Sequence, residues 1–366
     1  MSKNRTILQQ EAIELLKELI ATPSFSKEED QTASIIGKFF ADKNIAASRA
    51  GNNVFALNKY FDDHKPTILL NSHHDTVKPN PQYTNNPFSP IMENARPEDP
   101  VGRGKIFGLG SNDAGGSLVS LIAAFLQFYD KTDLKYNIVI AATAEEEISG
   151  TGGIEYTLPY LPNIDCAIVG EPTQMQMAVA ERGLLVLDCI SHGKAGHAAR
   201  EEGENAVYKA IKDIEWFSNY QFPKVSDLLG ANKMSVTVIE SENKAHNVVP
   251  SQCKFVVDTR INELYSFEEV LEIIKANVQS EVKPRSTRLR SSSISLEHPL
   301  VKAGINLDRT CYGSPTTSDK ALMPFPALKM GPGDSARSHT ANEYIYIDEI
   351  KDGIDLYIQL LNQVLL

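Results

Sequence analysis

The sequence predicts an α/β fold: a mainly parallel sheet covered by helices on both faces, with a smaller α+β domain inserted into the chain. Two observations support this prediction. Short, almost entirely apolar runs at 67–70, 138–142 and 166–169 alternate along the chain with helical segments. Such strands are typical of parallel sheets buried between two helix layers. From 177 to 292 the strands instead alternate in polarity and flank amphipathic helices, which indicates the inserted domain.

The predicted elements of the first domain follow in chain order. Leucines at helical spacing predict an amphipathic helix within residues 1–26, and similar spacing predicts a second helix over about 29–43. An irregular stretch rich in Pro, Asn and Gly is expected from 78 to about 110, a length typical of functional or disordered loops. The other expected elements are strands at 54–57, 67–70, 138–142 and 166–169 and helices over about 114–129 and 153–158.

The inserted domain is expected to contain strands at 183–191, 233–239 and 252–260 and helices at 206–217 and 266–278. A strand at 327–330 and a helix at 348–366 then return to the first domain. We therefore assign residues 1–176 and 293–366 to the first domain and residues 177–292 to the inserted one.

The composition is that of a globular protein. With 366 residues and 42% hydrophobic side chains, the chain can bury a sizeable core. Its net charge of −11, with no strong basic patch, argues against a nucleic acid or an anionic membrane as partner. No apolar run suits a signal peptide or a membrane span. The four cysteines lack C-x-x-C spacing and indicate buried free thiols. We expect a cytoplasmic protein.

The most informative motif is His73-x-Asp75, at the end of the apolar run 67–70. Residues two apart in a strand point to the same side, so the motif places an imidazole and a carboxylate together at the end of a buried strand. Taken alone, the pair has two interpretations. It is either a metal ligand with the carboxylate that orients it, or a buried histidine beside a loop aspartate.

Four further clusters favour a metal site, because each again stands where an apolar run meets a turn. They are Asn112-Asp113, Glu145-Glu146-Glu147, Gly170-Glu171-Pro172 and Ser338-His339. Ligands of parallel sheets gather at the carboxyl ends of the strands, so one crevice is expected to collect these side chains. The Gly-rich segment 102–116 is not interpreted as a nucleotide-binding loop, since Asp113 stands where G-x-G-x-x-G needs its third glycine.

The clustered residue types suit a pair of divalent metal ions. Zinc accepts histidine nitrogens and carboxylate oxygens, and a catalytic zinc keeps one position for water. Two such ions carry four positive charges, which Asp113, Glu147 and Glu171 together with one hydroxide would neutralise. Asp75 then remains to hold the second ring nitrogen of His73.

Glu146 is the carboxylate that this charge balance leaves for acid–base chemistry. It is placed to take a proton from the water and return it to a leaving amine. Three successive glutamates in a loop are often solvated surface. Here they follow a buried strand and precede the Gly-rich segment 149–153, which favours a functional interpretation.

In these motifs the chain resembles the M20 zinc aminoacylases and peptidases, the family that contains acetylornithine deacetylase and succinyl-diaminopimelate desuccinylase. The match covers almost the whole chain in order. Its motifs are SHHDTV at 72–77, GLGSNDAGG at 108–116, TAEEE at 143–147, VGEPT at 169–173, GKAGH at 193–197, NVVP at 247–250 and GPGD at 331–334.

The resemblance implies a role for each clustered residue. Two divalent ions, zinc foremost and cobalt or manganese as alternatives, would be held by His73 and Glu171 on one side and by Glu147 and His339 on the other, with Asp113 bridging. Glu146 would act as general base and Asp75 would support His73. The first domain would be a three-layer zinc-hydrolase domain, and the inserted one a ferredoxin-like lid and dimerisation domain of a homodimer.

The resemblance also implies functional residues in the inserted domain. His197, in the Gly-x-x-Gly-His motif, would reach the active site of the partner subunit and stabilise the oxyanion; a surface histidine in a Gly-rich turn is the alternative. Arg260, Asn247 and, as a weaker match, Arg182 would face the substrate. Guanidinium groups pair with carboxylates, which favours an amino-acid carboxylate as ligand, although a structural salt bridge explains either arginine almost as well.

The implied reaction is hydrolysis of an amide on a small N-acylated amino acid, by attack of a metal-bound hydroxide. The motifs at 170–173 and 331–334 are most similar to the acetylornithine deacetylase branch, so the expected substrate is an N-acyl-ornithine or N-acyl-citrulline of arginine biosynthesis. Succinyl-diaminopimelate desuccinylase and dipeptidase are the alternatives within the family. A non-catalytic binding homologue is the alternative of a different class.

Overall fold

The computed structural model describes residues 2–93, 103–200 and 202–366. The helices are α1 (Ser2–Ile20), α2 (Asp30–Ala41), α3 (Gly116–Phe128), α4 (Ile154–Thr157), α5 (Ala206–Asn219), α6 (Phe267–Asn277), α7 (Pro299–Ile305) and α8 (Ile347–Leu365). The strands are β1 (Ala47–Ala50), β2 (Asn53–Leu57), β3 (Thr67–His73), β4 (Ile91–Glu93), β5 (Lys105–Phe107), β6 (Asn137–Thr143), β7 (Cys166–Val169), β8 (Met177–Glu181), β9 (Gly183–His192), β10 (Gly196–His197), β11 (Lys233–Ser241), β12 (Val248–Val249), β13 (Gln252–Ile261), β14 (Glu281–Pro284), β15 (Ser292–Ser293), β16 (Cys311–Ser314), β17 (Ala327–Lys329) and β18 (Tyr344–Tyr346).

The chain divides into two compact units. The first unit consists of Met1–Val179, Ile294–Tyr312 and Ser318–Leu366, and the second of Ala180–Ser293 and Gly313–Thr317. Among the described residues, no helix is both long enough and apolar enough to cross a lipid bilayer.

The first unit is built on a sheet with a parallel centre. Its strand order is β1-β2-β6-β3-β7-β17-β8, in which β6, β3, β7 and β17 run parallel. The edge pairs β1–β2, β2–β6 and β17–β8 are antiparallel. The predicted α/β class with a mainly parallel sheet is therefore confirmed.

Helices cover this sheet because its central strands are apolar on both faces. Every residue of β3 and of β6 is buried. Alternate side chains point to opposite faces, so Ile68 and Leu70 pack with α1, α3 and α8, whereas Leu69 packs with Ile154 of α4 and with Val139. The uniformly apolar runs of the sequence follow from this double coverage.

The irregular stretch predicted at 78–110 is partly wrong. It contains β4 and β5, which form a three-stranded antiparallel sheet with β18. Strands of three residues carry too little periodicity to be recognised, and β18 lies more than 200 residues further along the chain. Residues 94–102 of the stretch lie outside the described residues.

The second unit contains a four-stranded antiparallel sheet in the order β11-β13-β9-β14. On β9 and β13 buried and partly exposed residues alternate, and the buried set packs with α5 and α6. Asn205 caps α5 and a Ser266–Glu269 capping box begins α6, so both helices start at residues suited to that position. The predicted lid and dimerisation role of this unit stays a prediction.

Candidate metal centre

The clustered side chains of the first unit lie where central strands end. His73 is the last residue of β3, the glutamates Glu146 and Glu147 follow β6, and Glu171 follows β7. Because these three strands are parallel neighbours, their carboxyl ends meet at one edge of the sheet.

One group of ligand atoms surrounds the His73 ring. Its Nε2 atom lies 3.4 Å from Asp113 Oδ1, 3.9 Å from Glu171 Oε1 and 3.9 Å from Glu146 Oε2. The His73 side chain is only 1% exposed, and among the described residues its Nε2 atom has no hydrogen-bond partner. A buried ring nitrogen that faces three carboxylates without a hydrogen bond has the surroundings of a metal ligand.

A second group lies on the other side of Asp113. His339 Nε2 is 3.6 Å from Asp113 Oδ2 and 2.9 Å from Glu147 Oε2. The two oxygens of Asp113 therefore face different histidines, as required of a carboxylate that bridges two ions. His339 itself has a positive φ of 59°, which turns the chain at this point.

The distances suit divalent metal ions. Zinc bonds to nitrogen and oxygen of about 2.0–2.2 Å give a tetrahedral ligand–ligand edge of about 3.4 Å. The two Asp113–histidine separations, 3.4 and 3.6 Å, are close to that edge. Single ligand atoms of His73, Asp113 and Glu147, and of His73, Glu146 and Glu171, lie within 4.8 Å of one another. The residues present thus fit a pair of ions, with Glu146 as a further candidate ligand beside His73 and Glu171.

Asp75 holds both His73 and the glutamate turn. The His73 Nδ1 atom lies 3.0 Å from the carbonyl oxygen of Asp75 and 3.3 Å from its Oδ1 atom. The same carboxylate accepts hydrogen bonds from the backbone N–H groups of Glu146 and Glu147, at 3.0 and 3.2 Å, and from the hydroxyl of Ser26 at 2.7 Å. Sequence reasoning found the contact with His73 and missed the contacts with the turn.

The surroundings of the Glu146 carboxyl group disfavour its ionised form. Burial raises its pKa well above the usual value, and the negative charge of Glu171 adds to the shift. Burial also raises the pKa of Glu147. A carboxylate with a raised pKa is a better proton acceptor near neutral pH than an ordinary glutamate.

His74 points away from these carboxylates. Its ring nitrogens lie 2.9 Å from the hydroxyl of Thr32 and 3.0 Å from the carbonyl oxygen of Asn52. Burial lowers its pKa to about 4, so the ring is neutral near pH 7. Strand alternation therefore separates the two adjacent histidines, and of the two only His73 faces the candidate metal ligands.

Two buried acids near the site were missed by sequence reasoning. Glu343 is 2% exposed and accepts hydrogen bonds from the turn that carries Asp113; burial and the charge of Asp113 raise its pKa to about 8. Asp319 accepts a hydrogen bond from Thr143 at the end of β6, and its charge helps to raise the pKa of Glu146. Neither follows an apolar strand, so the pattern that found the other residues gives no signal here.

The remaining predicted site residues lie in the second unit. His197 is exposed on β10, which pairs with β12, and its Nδ1 accepts a hydrogen bond from Ala199. Asn247 is bound to the same segment, since its carbonyl oxygen accepts the N–H of Ala198 at 2.9 Å. The structure thus brings His197 and Asn247 together.

The two predicted arginines of the second unit both have partners there. Arg260 binds the carboxylate of Asp258 through Nε and Nη2, at 2.7 and 3.0 Å. Arg182 donates to the carbonyl oxygen of Leu229, and burial followed by the charge of Arg260 lowers its pKa. The Arg260–Asp258 pair supports the salt-bridge alternative for Arg260. It does not test whether either arginine binds the substrate.

The fold and the site of the first unit define a metal-dependent hydrolase of amide bonds. The profile of Peptidase family M20/M25/M40 matches residues 69–363, and the chain belongs to this family. The family resemblance read from the seven motifs is therefore confirmed.

Similar proteins agree with this assignment. The chain is 28% identical over 344 residues to succinyl-diaminopimelate desuccinylase of Rickettsia bellii (strain OSU 85-389), covering 86% of this chain and 84% of the relative. The structure of aminopeptidase PepT from Bacillus cereus ATCC 10987 matches with a TM-score of 0.76 and 17% identity, over 97% of this chain and 98% of that one. The Bacillus subtilis protein YXEP, described as a dinuclear metal-binding M20 peptidase, matches with a TM-score of 0.73 and 16% identity, over 97% and 98%.

Proposed function

We propose that this protein is a dinuclear metal-dependent amidohydrolase that removes an acyl group from the nitrogen of a small amino acid. The observation that carries the proposal is the placement of Asp113, whose two carboxylate oxygens face His73 and His339 separately. In the proposed site His73 and Glu171 would hold one ion, Glu147 and His339 would hold the other, and Asp113 would bridge them.

When bound, the two ions would polarise the acyl oxygen of the amide and lower the pKa of a water molecule. The chain supplies the proton transfers. Glu146 takes the proton that the attacking water loses and delivers it to the departing nitrogen. Asp75 keeps this base in place, because it holds the N–H groups of Glu146 and Glu147 and also lies against the His73 ring.

For the substrate, a succinylated diamino diacid such as N-succinyl-diaminopimelate is the leading candidate. The support is the name of the curated relative, which is 28% identical over most of both chains. The N-acyl-ornithine expected from the sequence is the second candidate, and it rests on the motifs at 170–173 and 331–334 alone. Dipeptides are the third, suggested by the peptidases of similar fold.

In the homodimer that we propose, His197 of one subunit donates to the oxyanion in the other. Its exposed position on β10 leaves the side chain accessible for that contact. Analytical ultracentrifugation tests the dimer: a purely monomeric, active protein would contradict it.

The four free cysteines, three of them buried, favour a reducing compartment and hence the cytoplasm.

A substrate panel tests the proposed function. Protein stripped with a chelator and reloaded with Zn²⁺, Co²⁺ or Mn²⁺ is assayed with succinyl-diaminopimelate, acetylornithine, succinylornithine, acetylcitrulline and several dipeptides. We expect metal-dependent release of a free amine, fastest with the succinylated diacid. Faster turnover of an acylornithine or of a dipeptide would reassign the substrate. A folded protein that binds no divalent metal and cleaves none of these compounds would refute the proposal.

A further inference from the structure

The carboxylate of Glu343 lies directly behind the turn that carries Asp113. Its Oε1 atom accepts hydrogen bonds from the backbone N–H groups of Asn112 and Asp113, at 2.8 and 2.9 Å. Its Oε2 atom accepts the N–H of Gly110 at 3.2 Å. Three backbone groups of one short turn thus converge on a single side chain that is 2% exposed.

The turn needs such an acceptor. The first N–H groups of a helical turn have no acceptor within that turn, and buried N–H groups without partners are strongly disfavoured. The segment Ser111–Gly115 is also irregular, because Asp113 has φ −119° and ψ 98°, outside the helical region. Local helix geometry therefore does not fix the direction of the Asp113 side chain, and an external anchor is required.

Glu343 is itself held firmly. The backbone N–H of Gly108 donates to its carbonyl oxygen at 2.9 Å, and its own N–H donates to the hydroxyl of Tyr83. It stands four residues after His339, so one short segment supplies both His339 and the anchor of Asp113. A displacement of this segment would move both residues of the Asp113–His339 pair.

We propose that Glu343 is a positioning residue for the bridging carboxylate. It acts through the backbone of residues 110–113, aiming one oxygen of Asp113 at His73 and the other at His339. This inference rests on the proposed function for the bridging role of Asp113 and adds the residue that sets its geometry. Partners that orient a metal ligand typically contribute about 10–100-fold to metal affinity or activity.

The test compares Glu343→Ala and Glu343→Gln with a matched buried acid of the second unit. Asp213 is 4% exposed and also accepts two backbone N–H groups, those of Gln279 and Ser280 at 3.1 and 2.8 Å. Asp213→Ala and Asp213→Asn therefore remove a similar hydrogen-bonding role in the unit that contains none of the proposed metal ligands. All four variants are titrated with Zn²⁺ against a fluorescent chelator and with Co²⁺ by visible absorption, and unfolded in urea without metal.

We expect Glu343→Ala to weaken binding of at least one Zn²⁺ equivalent by about 10–100-fold and to alter the Co²⁺ band, with a lower kcat. Glu343→Gln should be intermediate, since its single amide oxygen still accepts the N–H groups of Asn112 and Asp113. The Asp213 variants should lose stability only. Wild-type metal affinity and Co²⁺ spectrum in both Glu343 variants would overturn the inference while leaving the hydrolase proposal intact. Failure of the wild-type protein to bind metal would refute the proposed function instead.

Discussion

Glu146 and Glu147 are adjacent in the chain, yet we assign proton transfer to the first and metal binding to the second. Their backbone N–H groups both donate to Asp75, so the turn is held in the same way at either residue. Their side chains differ in surroundings. Glu147 Oε2 lies 2.9 Å from His339, whereas Glu146 Oε2 lies 3.9 Å from His73, which also faces Asp113 and Glu171.

The substitutions Glu146→Gln and Glu147→Gln provide a matched pair, because glutamine keeps the size of the side chain and leaves the Asp75 contacts intact. Loss of a general base typically lowers kcat by about 10²–10⁴-fold, or about 3–5 kcal/mol in activation free energy. We expect this loss in Glu146→Gln with two metal equivalents retained. Glu147→Gln should instead weaken the binding of one metal equivalent by at least about 100-fold. This loss is larger than the one expected from removing a residue that only orients a ligand.

The assay measures kcat and KM on the best substrate of the panel, and metal content by mass spectrometry after dialysis. Added metal should restore part of the activity of Glu147→Gln and none of that of Glu146→Gln. The opposite pattern, with metal lost only in Glu146→Gln, would show that Glu146 completes the ligand set of His73 and Glu171. The assignment of the base would then be wrong.

Three further predictions concern residues around the site and in the second unit. Burial lowers the pKa of His74 from 6.5 to about 4. As the pH falls from 6.5 to about 5, this imidazole therefore takes up a proton in the unfolded chain but stays mostly neutral in the folded protein. The metal-free protein should therefore lose roughly 1.5 kcal/mol between pH 6.5 and 5 from this residue, and urea unfolding of His74→Gln should lack that loss. His197→Ala should keep both metal equivalents while kcat falls by about two to three orders of magnitude; unchanged turnover would exclude an oxyanion role. Arg260→Ala should raise KM at least about tenfold if its guanidinium binds the substrate carboxylate, whereas wild-type kinetics with reduced stability would show that its pair with Asp258 is purely structural.

Most of the candidate site could be predicted because its residues follow strands that the sequence marks clearly. β3, β6 and β7 are buried throughout and contain the apolar runs of the sequence, and parallel strands place their carboxyl ends together. His73, Glu147 and Glu171 were predicted as ligands by that logic, and they stand at or after the ends of these strands. The family resemblance then implied which ligands share an ion, a question that the spacing alone left open.

What could not be predicted depends on contacts between distant parts of the chain. Glu343 stands in an ordinary polar segment, and its partners Asn112 and Asp113 precede it by more than 200 residues. The small sheet of β4, β5 and β18 was missed for the same reason. The second function of Asp75, holding the glutamate turn, also involves N–H groups about 70 residues away.

The fold class, the candidate metal ligands and the family could be inferred from the sequence, because these depend on local periodicity and on motifs at the ends of strands. The partners of several side chains, by contrast, depend on contacts that form only in the folded chain. The folded chain places His74 against Thr32 and Asn52, whereas alternation along the strand already turns it away from His73. Folding also brings Glu343 against the Asp113 turn, since a buried N–H group requires an acceptor wherever in the chain one is found.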